Sequence, residues 1–164
     1  MKPGIGAVQA STLYDVVCLD KDGNLKWRET VPNLVVNEGL DEILEQLFKG
    51  SSYTADWYVG LKGAGAVAAA NTLASTGSWS EVTAYTGDRK ALTLGSVSSQ
   101  SVDNTASKAE FAINGTATVA GAFVCAAATG TSAVLYGVAD FSSSRGVEDG
   151  DTLQVSVTLT TAAA

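Results

Sequence analysis

From Trp79 to the last residue, apolar residues occur in short runs that are separated by turns rich in Gly, Asn and Asp. This alternation constrains the fold most, because it is typical of antiparallel strands joined by tight connections. The turn signals lie at Asp103-Asn104, Asn114-Gly115, Thr129-Gly130 and 148–151. The predicted strands are 91–97, 108–113, 116–127, 132–141 and 152–160. Such a series favours a single mainly β domain over residues 12–164, an antiparallel β-sandwich with jelly-roll or immunoglobulin-like strand order.

A β-hairpin is predicted near the N-terminal end. Two alternating runs, 13–19 and 25–31, flank the sequence Asp20-Lys21-Asp22-Gly23-Asn24. The same five residues resemble the start of a calcium-binding EF-hand loop. However, Leu25 stands where that loop needs glycine, and Val31 stands where it needs a bidentate glutamate. We therefore interpret these residues as a hairpin turn.

One amphipathic helix is predicted at about 38–49. Its apolar residues recur at helical spacing, and they are Leu40, Ile43, Leu44, Leu47 and Phe48. Asn37 is the expected N-cap, while Lys49 and Gly50 are suited to end the helix. A helix with one apolar face is expected to lie on the sheet with that face inward.

The composition argues against most enzyme classes. The chain has no histidine and two cysteines, which excludes Ser-His-Asp triads, Cys-His pairs and imidazole-ligated zinc. Cys18 and Cys125 lie in apolar runs and are expected to be buried free thiols. We predict no catalytic site, no cofactor and no metal. Ten basic and seventeen acidic residues give a net charge of −7, which argues against binding nucleic acid.

Two further patterns could each be a binding site or an ordinary loop or turn. Gly63-Ala64-Gly65-Ala66-Val67-Ala68 fits a Gly-x-Gly-x-x-Ala dinucleotide fingerprint, but no helix pattern follows it as that site requires. We therefore favour an ordered surface loop over residues 62–80. An acidic group could gather at one end of the sandwich and bind calcium, although a solvated turn is favoured. Its members are Asp140, Glu148, Asp149 and Asp151.

Residues 1–11 show no periodicity and are predicted to form an N-terminal arm that is either loose in solution or ordered only against a partner. The expected partner-binding residues are Ile5, Val8, Gln9 and Thr12. The sequence contains no signal-peptide pattern and no run of the ~20 apolar residues that a membrane span needs. We expect synthesis in a host cytoplasm and no membrane partner.

Several segments, taken in order, carry a resemblance to a known group of proteins. They are Lys26-Trp27-Arg28, Pro32-Asn33-Leu34-Val35-Val36-Asn37-Glu38-Gly39-Leu40, Trp57-Tyr58-Val59-Gly60-Leu61, Trp79-Ser80-Glu81-Val82-Thr83-Ala84-Tyr85, Ser101-Val102-Asp103-Asn104, Ser107-Lys108-Ala109-Glu110-Phe111 and Gly121-Ala122-Phe123. Over residues 13–160 this series resembles small virion structural proteins of tailed bacteriophages. These are packing and turn motifs, so no catalytic residue is carried over.

The resemblance implies a capsid decoration (cement) protein at the virion surface. Such a protein binds the outer face of the major capsid protein, associates with itself as a dimer or trimer, and stabilises the expanded capsid. The low content of charged residues, 16%, agrees with flat packing against a shell. The alternative is a tail or fibre component that recognises a host receptor through exposed aromatic residues among Trp57, Tyr58 and Trp79.

Overall fold

The chain folds around one long antiparallel sheet that curls on itself as a half-barrel. The computed structural model describes residues 8–50 and 56–163. Within them lie ten strands, β1 Val8–Leu19, β2 Leu25–Val35, β3 Tyr58–Lys62, β4 Glu81–Val82, β5 Lys90–Ala91, β6 Ser101–Asp103, β7 Ala109–Ala112, β8 Ala117–Cys125, β9 Leu135–Val147 and β10 Thr152–Ala163. The helix α1 spans Asn37–Leu44 and continues as a π-helical turn, Glu45–Lys49. The prediction of a mainly β, antiparallel fold is confirmed. The predicted sandwich is not confirmed, because the strands form one curled sheet.

The first and last strands form the longest pairing in the sheet. All twelve residues of β1 pair with β10, from Val8 opposite Ala163 to Leu19 opposite Thr152. The other edge of β1 pairs with β2 across the predicted hairpin, and Asp20 Oδ1 accepts hydrogen bonds from the turn. The predicted arm is wrong for residues 8–11, because these residues belong to β1. Residues 1–7 lie outside the described part of the chain.

The sheet curls where β2 changes partner. Residues up to Pro32 pair with β1, and residues 33–35 pair with β9 instead. Proline has no N–H to donate to a ladder, so it fits the position at which one pairing ends. Beyond β9 the sheet continues through β8 and β3, and buried side chains cover both of its faces there: Val124 belongs to one cluster, while Phe123 and Cys125 on the opposite face of β8 belong to a second. The largest fully buried core side chains are Tyr14, Phe111, Phe123, Leu61, Leu135 and Leu153.

At one end of the curl, its two edges meet through a short contact. Tyr85 and Ile113 form an isolated bridge, and Thr86 N donates to Ala112 O at 2.9 Å. The rings of Tyr85 and Phe111 pack edge to face with centroids 4.8 Å apart. These contacts join β7 to the segment between β4 and β5.

Two predicted strands differ from the observed ones. The segment 91–97 is strand only at Ala91, because Gly95 N donates to Asp103 O at 2.8 Å and the chain folds back along β6. The strand predicted at 132–141 runs on to Val147 as β9. Its outer residues stay in the strand because 145–147 pair with 117–119 of β8, and Ser142 and Arg145 also bond to Glu29 on β2.

The helix begins one residue earlier than predicted and ends at the predicted glycine. Asn37 is the first helical residue and not the cap, since Val36 occupies the cap position without a side-chain hydrogen bond. Gly50 has φ of 65°, the left-handed conformation that glycine adopts most readily at a helix end, as predicted. The helix approaches β9 closely at Gly39, where an added Cβ would lie 2.2 Å from Tyr136 O.

Asn104 joins the short edge strands to β10. Its side chain is buried between β6 and β7, where Oδ1 accepts from Val157 N at 2.6 Å and Nδ2 donates to Val155 O at 3.2 Å. It therefore replaces the backbone ladder at the place where β10 has no neighbouring strand residue. A buried backbone N–H left without a partner is costly.

We expect Asn104→Ala to lower the free energy of unfolding by about 1–3 kcal/mol, because two buried backbone groups lose their partner. Urea unfolding followed by circular dichroism measures this. The control is Asn114→Ala at an exposed position, which should change stability by no more than about 0.5 kcal/mol. Equal effects of the two substitutions would contradict the bridging role.

Glu29 ties β2 to the outer half of β9. Its carboxylate accepts from Ser142 N at 2.9 Å and from the Ser142 hydroxyl, and it pairs with Arg145 at 2.7 Å. Hydrogen bonds from Ser142, and then from Arg145, lower the pKa of Glu29 from 4.5 to about 2. The carboxyl group therefore stabilises the fold in its ionised form.

Because this pKa is lower in the folded state, the stabilisation is full above pH 4.5 and is lost as the pH falls towards 2. We expect Glu29→Gln to destabilise the protein at neutral pH, with the difference from wild type shrinking below pH 4.5. Thermal unfolding across this pH range measures it, with the exposed Glu110→Gln as control. A difference that stays constant with pH would show that Glu29 does not act through its charge.

Candidate binding surface at the open end of the sheet

An apolar cleft opens between helix α1 and the edge of the sheet formed by β6 and β10. Its volume is about 370 Å³, within the range of ligand-sized pockets. Val124 and Tyr136 form part of its floor, while Ile43, Trp57 and Leu92 form one side. The opposite side comes from Ala10, Leu159 and the segment 94–102. None of the described residues that line it carries a charge.

Strand alternation and one aromatic contact hold the cleft open. Ala10 on β1 and Leu159 on β10 point to the concave side, as Tyr14 and Val157 do further along the same strands. Trp57 and Tyr136 pack edge to face, with ring centroids 5.8 Å apart. The Leu92 N–H donates to the Trp57 carbonyl at 2.8 Å and fixes this side of the cleft.

The apolar stripe of the helix is largely uncovered. Ile43 is half-buried and lines the cleft, but Leu40, Leu44, Leu47 and Phe48 are 43%, 55%, 70% and 76% exposed. The prediction that the apolar face lies on the sheet is therefore wrong for most of that face. The helix instead packs on the sheet through Gly39, its buried residue, which lies against the backbone of Tyr136.

Two exposed residues extend this apolar area across the cleft. Leu94 is 38% exposed and Val97 is 75% exposed, and both line the cleft opposite Ile43. We call the cleft together with these side chains and the helix stripe the open-end surface. Its protruding members are Leu40, Leu44, Leu47, Phe48, Leu94 and Val97.

The carboxylates of the helix lie on its other flank. Glu38, Asp41, Glu42 and Glu45 line a separate hollow with residues 69–72. Glu38 accepts from Leu135 N at 2.8 Å, and Glu45 pairs with Lys49 at 2.6 Å. The negative charge of the helix is thus directed away from the cleft.

A strained turn forms part of the cleft mouth. Ser98 and Ser101 exchange both backbone hydrogen bonds, and the two residues between them, Ser99 and Gln100, have φ of 49° and 60°. Left-handed backbone is unfavourable for residues other than glycine and is found mostly where the surroundings impose it. Here the Gln100 carbonyl accepts from Thr161 N at 3.0 Å, and the residue lines the cleft.

The residues predicted to bind a partner differ in how accessible the structure leaves them. Ile5 lies outside the described residues. Val8, 80% exposed, and the exposed Gln9 lie at the tip of the β1–β10 ribbon. Thr12 is buried at 4% exposure, since it shares the inward face of β1 with Tyr14. Val8 and Gln9 are therefore accessible to a partner, whereas the Thr12 side chain is covered by the chain itself.

The acidic residues do not form one group. Asp140 pairs with Lys62 at 2.6 Å, and the Lys62 ammonium also donates to the carbonyls of Gly63 and Gly65. Asp151 lies elsewhere, buried, and accepts from Lys26 at 2.7 Å. No group of three or more acidic or cysteine residues that could hold a metal ion occurs within residues 8–50 and 56–163.

The loop after β3 is ordered by Asn71, as the prediction of an ordered loop requires. Asn71 Oδ1 accepts from Ala68 N at 2.8 Å and from Trp79 Nε1 at 3.1 Å. Trp79 is buried, so of the three aromatic candidates Trp57 is the one that lines the cleft. Cys18 and Cys125 are buried free thiols, and burial raises the pKa of Cys18 to about 11.

We expect Gln100→Gly to raise the free energy of unfolding by about 1 kcal/mol, because glycine adopts the left-handed backbone without strain. Ser96→Gly, in the same exposed segment but without positive φ, is the control and should lower stability slightly. Urea unfolding of both variants measures this. A loss of stability in Gln100→Gly would show that the turn is not strained.

Two comparisons with known proteins do not identify a relative of this chain. A scan against protein-family models gives no match for the chain, and a search of curated proteins gives none either. Within the described part of the chain, neither α1 nor any other helix has the length and apolar sequence of a membrane span.

Proposed function

We propose that this chain is a bacteriophage head decoration (cement) protein that binds the outer surface of the major capsid protein and stabilises the expanded capsid. The observation that carries the proposal is that the fold exposes two surfaces suited to assembly, the apolar open-end surface for association between copies and the tip of the β1–β10 ribbon for the capsid protein. Contiguous exposed apolar patches of this kind mark contacts between proteins. The resemblance to small virion proteins is the reason for choosing a phage capsid as the proposed assembly.

The tip of the β1–β10 ribbon is the proposed contact with the capsid protein. Val8 and Gln9 are exposed there, and the backbone pairing of Val8 with Ala163 holds them in place. A rigid contact loses little conformational entropy on binding. Many identical copies on a symmetric shell add up to tight attachment even when each contact is small.

The alternative is a tail or fibre component that recognises a host receptor. It is supported by Trp57, an aromatic residue that is partly exposed in the cleft. A sugar ligand also needs several polar groups aimed at its hydroxyls, because its polar atoms lose water on binding. The cleft lining is almost entirely apolar, and we therefore favour the decoration role.

Binding to expanded capsid shells, assembled from the major capsid protein of the phage that encodes this chain, tests the proposal. We expect co-sedimentation at a simple ratio to the capsid protein, weakened at least tenfold by Val8→Asp, because a charge would be buried at the contact. The control is Leu25→Asp, which changes a 63% exposed leucine at the opposite end of the β1–β2 hairpin. Absence of binding by the wild-type protein would contradict the decoration role, and binding to host polysaccharide instead would support the alternative.

A further inference from the structure

The exposed apolar area of the open-end surface is at the upper end of what a monomer usually shows and approaches what one partner buries in a stable interface. Its six protruding side chains are 38–76% exposed. A large side chain presents roughly 150–250 Å² when fully exposed, so together they expose on the order of 600 Å². The walls of the cleft add to this area. Stable interfaces bury roughly 800 Å² on each partner, whereas a monomer's largest apolar patch is usually about 300–600 Å².

The charge distribution favours a partner with an apolar and uncharged contact surface. The described residues of the cleft lining carry no charge, so neither a basic nor an acidic segment would find a complementary group there. The whole chain has a net charge of −7, but the helix carboxylates Glu38, Asp41 and Glu42 lie on the flank away from the cleft. Two such surfaces can therefore approach each other without bringing these carboxylates face to face.

The surface also combines a protruding and a recessed part side by side. Leu44 and Phe48 are one helical turn apart and protrude, while the cleft beside Ile43 is recessed. In a contact with two-fold symmetry, both molecules use the same patch. If one residue of the first molecule contacts a second residue of its partner, the reverse contact is also made. A protrusion next to a recess of comparable size is therefore suited to pair with a second copy of itself.

We propose that the open-end surface is the contact between two copies of this chain, related by a two-fold axis, with Leu44 and Phe48 of each copy packed into the cleft of the other. The inference rests on the proposed function in that it names the interface of the homo-oligomer. Val8 and Gln9, the proposed capsid contact, do not line the cleft, although their neighbour Ala10 does. Each dimer would then present two ribbon tips to the shell.

Sedimentation velocity of the full chain over a range of micromolar concentrations tests the interface. We expect a dimer of twice the 16.7 kDa chain mass, with a dimer dissociation constant raised more than tenfold by Phe48→Lys and by Leu44→Lys. Lysine is compatible with the end of a helix, so circular dichroism should show an unchanged fold. The matched control, Leu25→Lys, changes a leucine of similar exposure and should remain dimeric.

Several results would overturn this inference. They are a wild-type monomer at all concentrations, a trimer, or a dimer that both helix variants leave intact. A monomer that binds a small apolar dye in the cleft would likewise show that the surface has another occupant. The shell experiment separates the two proposals. If the wild type dimerises, Phe48→Lys is monomeric and neither binds shells, the decoration role fails while the interface stands.

Discussion

The pairing of β1 with β10 is the interaction on which the rest of the sheet depends. β1 carries β2 on its other edge, and β10 carries β6 and β7, so both walls of the curl are attached through this one ladder. The ladder joins residues from the two ends of the described chain, and its loop-closure entropy is lost before any of its contacts form. Folding of such a topology is slow compared with that of local hairpins. The buried Asn104 completes the other edge of β10, between its pairings with β6 and β7.

Local features could be predicted from the sequence, and long-range ones could not. The Asp20–Asn24 turn, the helix and its end at Gly50 are each determined by a few neighbouring residues. Strand alternation shows which residues share a face but does not show which strand lies alongside. For this reason the partner change at Pro32 and the extension of β9 through polar residues were not predictable. The outer half of β9 is strand because it pairs with the start of β8, and Glu29, far away in sequence, adds hydrogen bonds to Ser142 and Arg145.

In the candidate site, too, local features could be predicted from the sequence and long-range ones could not. The amphipathic pattern predicts the helix stripe, but the pattern is identical whether the stripe covers its own sheet or another molecule. The cleft lining comes from well-separated segments of the chain, which only the curl of the sheet brings together. Thr12 could have been recognised as buried by extending the alternation of Tyr14 and Val16 one step towards the N-terminus. The turn at Ser99 and Gln100 leaves no signal, because neither residue type favours positive φ.

The position of both ribbon ends at one side of the molecule determines how the fold responds to mechanical force. Val8 and Ala163 are directly opposite each other, and backbone hydrogen bonds in an antiparallel pair run perpendicular to the strands. A pull that separates these two residues therefore loads the bonds one after another, as in opening a zipper, and meets little resistance. A load applied between Leu25, at the far end of the hairpin, and Ala163 runs along the strands, and the hydrogen bonds between β1 and β10 share it. An anchor at the tip alone thus leaves the fold strong along the strand direction and weak to any force that spreads the tip.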